Sequence, residues 1–313
     1  MGYNAAKDYY MKHKHNVLWF IICMISLAFV ACEKDPNNNN NSNHSGNGNP
    51  VLERINNAVT DYDGNHYDAV KIGKQVWMSE NLKTTHYADG TEIPVSDPSQ
   101  VPEHAFLWSV YLSSDVNPYV FNVNSHYFYN RPALMRGASS SNSNPSGIQG
   151  VCPDGWHVPS WAEWQELKDY CSGFAQLQCD SCEKCIGKAL AVTYGWQKIH
   201  DDFYPCDVGY NPGSNNATGF SAQPNGALYS RGYGHYYDDE GDSVATIGPG
   251  LVLELKNEMA FFWSTTKNDS GFLFANISGY SSGLNLLSSD DYHVPNVGYL
   301  GDYSGLSVRC VRN

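Results

Sequence analysis

TDYDGNHYDAVKIGKQVWMSENL, from Thr60 to Leu82, reads as two β-strands punctuated by turns. Asp63-Gly64 and Gly73-Lys74 each stand between β-prone runs, and such pairs close tight hairpins. Val70 and Ile72, then Val76 and Met78, alternate along the chain and predict hairpin strands with one buried face. Asp89-Gly90 marks another turn. Asp61, Asp63 and Asn65 around Gly64 also hint at a calcium loop. The sixth-position glycine and distal glutamate of an EF-hand are missing, so a hairpin turn is the expected structure.

One helix stands out further along. Ser160 and Glu163 form a capping box at its start. Trp164, Leu167, Cys171 and Phe174 follow at helical spacing and make one apolar stripe. A shorter helix is predicted over Cys185 to Val192. After Trp196 the chain returns to glycine-rich strands and loops, and it finishes on GLSVRCVRN from Gly305. Short strands with one or two helices make an α+β fold.

The N-terminus carries a different message. Lys12 and Lys14 precede the apolar run Val17 to Val30, then come Ala31 and Cys32. A basic region, a short apolar stretch and a small residue before cysteine form a bacterial lipoprotein signal. The run is 14 residues, against the roughly 20 that a membrane span needs. Cleavage before Cys32, with lipid on that cysteine, is the expectation; secretion without the lipid is the alternative. Glu33, Lys34 and Asp35 next to the cysteine resemble the export signal of surface lipoproteins in Bacteroidetes, which favours the outer face of the outer membrane. Residues 36–49 (PNNNNNSNHSGNGN) have no large apolar side chain and read as a flexible tether. The expected organisation is a signal over 1–31, a tether over 32–50 and one domain over 51–313.

Charge narrows the partners. The chain holds 19 Lys and Arg against 32 Asp and Glu. Without the signal segment the imbalance is greater still. An acidic surface excludes nucleic acid as a ligand, since that needs clustered Lys and Arg. Aromatics make up 13% of the residues, with 22 Tyr and 8 Trp. Most are expected to fill the core, with some left to contact sugars.

Six ordered blocks carry a family resemblance. They are DYDGNHYDAVKIGKQVWMSENLKTTHYADGTEIP at 61–94, YNRPALMRGASS at 129–140, GVCPDGWHVPSWAEWQEL at 150–167, NATGFSAQPNGA at 216–227, FFWSTT at 261–266 and GLSVRCVRN at 305–313. The chain resembles the Fibrobacter succinogenes major paralogous domain (FISUMP) of Bacteroidetes-type lipoproteins. That family looks related to C-type-lectin-like and formylglycine-generating-enzyme-like folds. It brings no activity to carry onto residues here.

Seven cysteines follow Cys32. The resemblance implies a pair between Cys152 and Cys310, because a C-type-lectin-like fold brings its terminal strands together. Cys171, Cys179, Cys182, Cys185 and Cys206 fall in an insertion near 171–206. Outside the cell the default is disulfides. Five cysteines allow two local bridges and a spare thiol, with connectivity open. A thiolate site for zinc or an iron–sulfur cluster is the alternative.

Other motifs are weak. Gln223-Pro224-Asn225 resembles the sugar-selecting tripeptide of calcium-dependent lectins, but Trp263 lies too far on and is followed by Ser-Thr. No Ser-His-Asp order, H-E-x-x-H or P-loop is present. His157 is expected to pack beside Trp156. The acidic run 238–242 reads as a solvated loop tip, and Asp242-Ser243-Val244 resembles an O-glycosylation acceptor. The sequence therefore predicts a surface lipoprotein with a non-catalytic binding or adhesion domain, without metal or cofactor. Its partners are the membrane, through lipid, and a glycan or protein. Tyr229, Tyr233, Tyr236 and Tyr237 are the candidate contact loop. A structural subunit of a fimbrial or envelope assembly is the alternative, and an enzyme of formylglycine-generating type the remote one.

Overall fold

In a computed structural model the strands around Thr60 to Leu82 form an antiparallel meander: β1 (Leu52–Thr60), β2 (His66–Ile72) and β3 (Gln75–Met78). The described residues are 48–96, 120–123, 125–179, 184–199, 204–231, 234–237, 243–247, 250–269, 271–289, 293–294, 298–299 and 304–313. The turn after β1 is closed by Asp61 N–H donating to Asn65 O and Gly64 N–H donating to Asp61 O. Gly73-Lys74 closes the next hairpin, with Ile72 opposite Gln75. The final strand, β17 (Val311–Arg312), does not sit at an edge. It lies between β3 and β7 (Trp156–His157), giving the order β1-β2-β3-β17-β7.

Strands β2 and β3 are buried on both faces, which corrects the expectation of one. Tyr67, Ala69, Val76 and Met78 enter one apolar cluster with Trp156, Phe261, Trp263 and Phe274. Val70, Ile72 and Trp77 enter a second with Trp164, Leu167, Phe220 and Phe262. The register explains the split. Val70 pairs with Trp77 and Lys71 with Val76, so Val70–Ile72 and Val76–Met78 point to opposite sides.

A second sheet spans both clusters. It comprises β12 (Met259–Asn268), β13 (Gly271–Ser278) and β14 (Leu284–Ser288). Along β12, Met259, Phe261 and Trp263 join the first cluster while Ala260 and Phe262 join the second. Three smaller sheets complete the described strands. One holds β4 (Val95–Ser96), β5 (Val120–Val123) and β6 (His126–Tyr129). Another has the order β11 (Gly250–Glu254), β8 (Ala227–Arg231), β16 (Gly298–Tyr299), β15 (His293–Val294). The last pairs β9 (Gly234–Tyr237) with β10 (Ser243–Ile247).

Among the described residues the α-helices are α1 (Arg131–Met135), α2 (Trp161–Ser172) and α3 (Gly187–Leu190). Both halves of the capping box on α2 form: Glu163 N–H donates to Ser160 Oγ at 3.2 Å and Ser160 N–H to Glu163 Oε2 at 2.9 Å. Trp164, Leu167 and Cys171 are buried on its inner stripe, while Phe174 falls beyond the Gly173 cap. Helix α3 is one turn, shorter than the predicted segment. The fold is α+β, mostly short strands.

Aromatic packing fills the second cluster. The Trp77 and Trp164 centroids lie 4.5 Å apart, and Trp164 lies 5.5 Å from Phe262. Fully burying one such side chain stabilises by about 1.5–3 kcal/mol. Arg309, at 0% exposure, packs its guanidinium 4.5 Å from the Phe220 centroid and 5.3 Å from that of Phe262. It donates to Asn81 Oδ1 at 2.7 and 3.1 Å, to Met78 O and Ser221 O at 3.1 Å, and to Phe220 O. Burial pushes the guanidinium down to about 9, and the charge of Glu80 works the other way.

Candidate functional site

Cys152 and Cys310 form a disulfide between residues 158 apart in sequence, both fully buried. It ties the segment ahead of β7 to the segment ahead of β17, two strands that pair directly. Cys179 and Cys206 form a second bridge, and Cys185 is disulfide-bonded as well. Cys171 is a buried free thiol that burial pushes up to about 12, so it stays neutral and unreactive at neutral pH. Cys32, Cys182 and Tyr233 lie outside the described residues.

Three of the candidate tyrosines fall on described strands. Tyr229 lies on β8 and Tyr236 and Tyr237 on β9, strands of two different sheets. Trp263 is 1% exposed and donates its indole N–H to Tyr129 O at 2.7 Å, so it is a core residue.

His157 does not pack with Trp156, because neighbours on a strand point to opposite faces. Trp156 enters the first apolar cluster. The His157 ring instead meets Glu163 Oε1 at 2.6 Å through Nε2 and Asn313 Oδ1 at 2.6 Å through Nδ1. Glu163 Oε2 accepts from Ser160 N–H and, at 3.0 Å, from Ser146 N–H. Burial alone would lower the His157 pKa, but the hydrogen bond and charge of Glu163, with Asn313, raise it. Both side chains of the pair are 2% exposed. This acid–base pair is therefore sealed from substrate and holds three segments together: the Ser146 loop, the start of α2 and the C-terminal strand.

The exposed chemistry lies elsewhere, around the Asp89-Gly90 turn. Gly90 N–H donates to Tyr87 O at 2.9 Å, and Thr91 N–H to Asp89 Oδ1 at 3.0 Å. Gly90 sits at φ +84°, and a Cβ there would come within 2.6 Å of Tyr62 Cζ. Tyr62, from the β1–β2 turn, thus lies over the glycine backbone. Its ring centroid is 5.3 Å from that of His86, yet the residue is 60% exposed.

Next to Tyr62 in the chain, Asp63 organises the following loop. It accepts from Thr85 N–H at 2.5 Å, Thr85 Oγ1 at 3.0 Å and Thr84 Oγ1 at 3.1 Å, and it pairs with His86 Nδ1. Burial works to raise its pKa, but these bonds together lower it. On the other side Arg136, just after α1, donates to Asp89 Oδ2 at 2.5 Å and to Thr91 Oγ1 at 3.3 Å. Its guanidinium lies 4.4 Å from the Tyr87 centroid. Arg136 holds the Asp89 carboxyl down to about 2. Three segments thus converge on one outward-facing patch. Asp61, by contrast, turns toward Asn65 and the Tyr67 hydroxyl. The two carboxylates of the supposed calcium loop diverge, and the segment is a turn.

Residues 70–312 match the Fibrobacter succinogenes major domain family (Fib_succ_major). The chain belongs to this family. The Fib_succ_major match takes in both paired cysteines, the sealed His157–Glu163 pair, His86, Asp89 and Arg136, while Tyr62 and Asp63 stand just ahead of it. No curated protein and no solved structure matches the chain. Sequence reading missed the Tyr62 patch because it sorted the aromatics by abundance. The DYDG and ADGT turns were both visible; that one ring rests on the other turn was not.

Proposed function

We propose that this Fib_succ_major protein is an outer-membrane lipoprotein, held by lipid on Cys32. Its domain stands at the cell surface and serves as a non-catalytic binding or adhesion module for glycans or for host or envelope proteins. The observation that carries the reading is the fully buried Cys152–Cys310 disulfide. Such a bond belongs to a chain that matures in an oxidising compartment, in agreement with the signal ending at Cys32. The Asn-rich tether supports display away from the lipid surface, since its 14 residues extend by at most about 3.3–3.6 Å each. The sealing of His157 and Glu163 supports a structural use of the best-built acid–base pair. The C-type-lectin-like reading of the fold is supported by the return of β17 beside β3 and by the disulfide next to it.

Protease shaving of intact cells, followed by mass spectrometry of this protein, tests the placement. Loss of domain peptides from intact cells is the expected result. Survival until the outer membrane is opened would overturn surface display and turn the search to periplasmic envelope assemblies. Cys32→Ala should move the protein from the membrane to the soluble fraction.

A further inference from the structure

We infer that the Tyr62 patch is a subsite for a neutral saccharide, with the Tyr62 ring as the stacking platform and His86, Asp89 and Arg136 as its polar rim. This inference rests on the reading of the domain as a binding module.

Sugar rings present an apolar C–H face and an equatorial belt of hydroxyls. A complementary site needs an exposed aromatic face beside planar polar groups. Tyr62 is 60% exposed, and Gly90 and His86 hold it in place. A ring fixed before binding loses little freedom on contact. His86 has its Nδ1 turned to Asp63 and is 30% exposed, and among the described residues no hydrogen bond reaches its Nε2. Asp89 and Arg136 are 55% and 39% exposed, and their mutual pairing, with the Tyr87 contact, keeps both in register. A carboxylate accepts from sugar hydroxyls and a guanidinium donates to them. Thr85 and Thr91 add hydroxyls to the same rim.

Charge selects the class of saccharide. Two carboxylates face one guanidinium and one imidazole across the patch, on a chain with net charge −13. That field repels polyanions and leaves neutral sugars as the matching ligand. One aromatic platform accommodates one or two rings, so single-site affinity is low and display of many copies on a surface supplies avidity.

The test uses the full-length lipidated protein in detergent, applied to an array of neutral and anionic glycans. Calorimetry with the soluble oligosaccharides retained follows. Retention of neutral glycans is expected, with Tyr62→Ala and Arg136→Ala each weakening binding by about tenfold or more. Tyr62→Phe should keep most of the affinity, and Tyr194→Ala, an exposed tyrosine elsewhere, should keep all of it. Thermal melts of each variant report the fold separately. Neutral-glycan binding that survives Tyr62→Ala would overturn the site and leave the binding-module reading intact. Loss of glycan binding beside Tyr62-dependent binding to purified matrix proteins would overturn the ligand class alone. A protein that holds neither glycans, matrix proteins nor envelope proteins would overturn both readings.

Discussion

The Arg309 guanidinium stacks 4.5 Å from the centroid of Phe220 and donates to that residue's own carbonyl oxygen. One side chain therefore fixes the ring and the backbone of the 216–227 segment against β3, whose Met78 carbonyl it also bonds. The cation is fully buried, and its hydrogen bonds go to amide and carbonyl oxygens.

Arg309→Met should keep the volume and lose the donors. The carbonyls of Met78, Phe220 and Ser221 would then lose the Arg309 donors. Leaving a buried acceptor unsatisfied costs about 1–3 kcal/mol. Urea unfolding with disulfides intact should show that loss; a change under 1 kcal/mol would mean that the network is dispensable.

His157 makes stability depend on pH. Its pKa is raised in the folded protein, so its contribution is fully present below the unfolded value near 6.5 and is lost as pH rises through the folded value. His126 is shifted the opposite way by burial and by Lys256. The measurement is therefore a difference between wild type and His157→Gln across pH 5 to 9. The gap in melting temperature should narrow as pH increases, and a constant gap would show that the His157 charge plays no part.

Cysteine chemistry divides sharply. Closing a loop of 158 residues stabilises by about 5 kcal/mol in the chain-entropy account. Replacing both Cys152 and Cys310 by serine should cost much of that in guanidinium unfolding. Cys171 should resist alkylation at pH 8 in the native state and react once the chain is unfolded, because burial keeps it a thiol.

Gly150→Ala should be the most damaging of the simple glycine changes in the GVCPDGWHVP segment. Gly150 sits at φ +55°, and a Cβ there would lie 2.1 Å from Leu134 O, which already accepts from Val151 N–H. The expected loss is at least about 2 kcal/mol, read from the melting temperature.

What could be read from the sequence was local. Ser160 and Glu163 lie three residues apart, and a capping box needs nothing from outside the segment. The turns at Asp63-Gly64, Gly73-Lys74 and Asp89-Gly90 were legible for the same reason. Glu163 also serves His157, which in turn meets Asn313 across 156 residues. No periodicity encodes that link. The two-faced burial of β2 and β3 was missed because Lys71 and Gln75 look like solvent-facing residues. In fact Gln75 is buried and bonds Glu163 O and the Trp77 indole. Tyr62 showed only as one tyrosine among 22; its exposure depends on the loop it leans over.

The placement of β17 between β3 and β7 has a consequence for biogenesis. A chain delivered N-terminus first leaves a gap in its main sheet until Val311 arrives. Until then Trp77 and Trp156 have no neighbour strand between them, and Cys152 has no partner. Sheet closure, oxidation of that bond and burial of Arg309 thus all wait on the arrival of residues 309–312. A chain stalled before β17 exposes an open seam to quality-control proteases, while one with β17 in place presents none there.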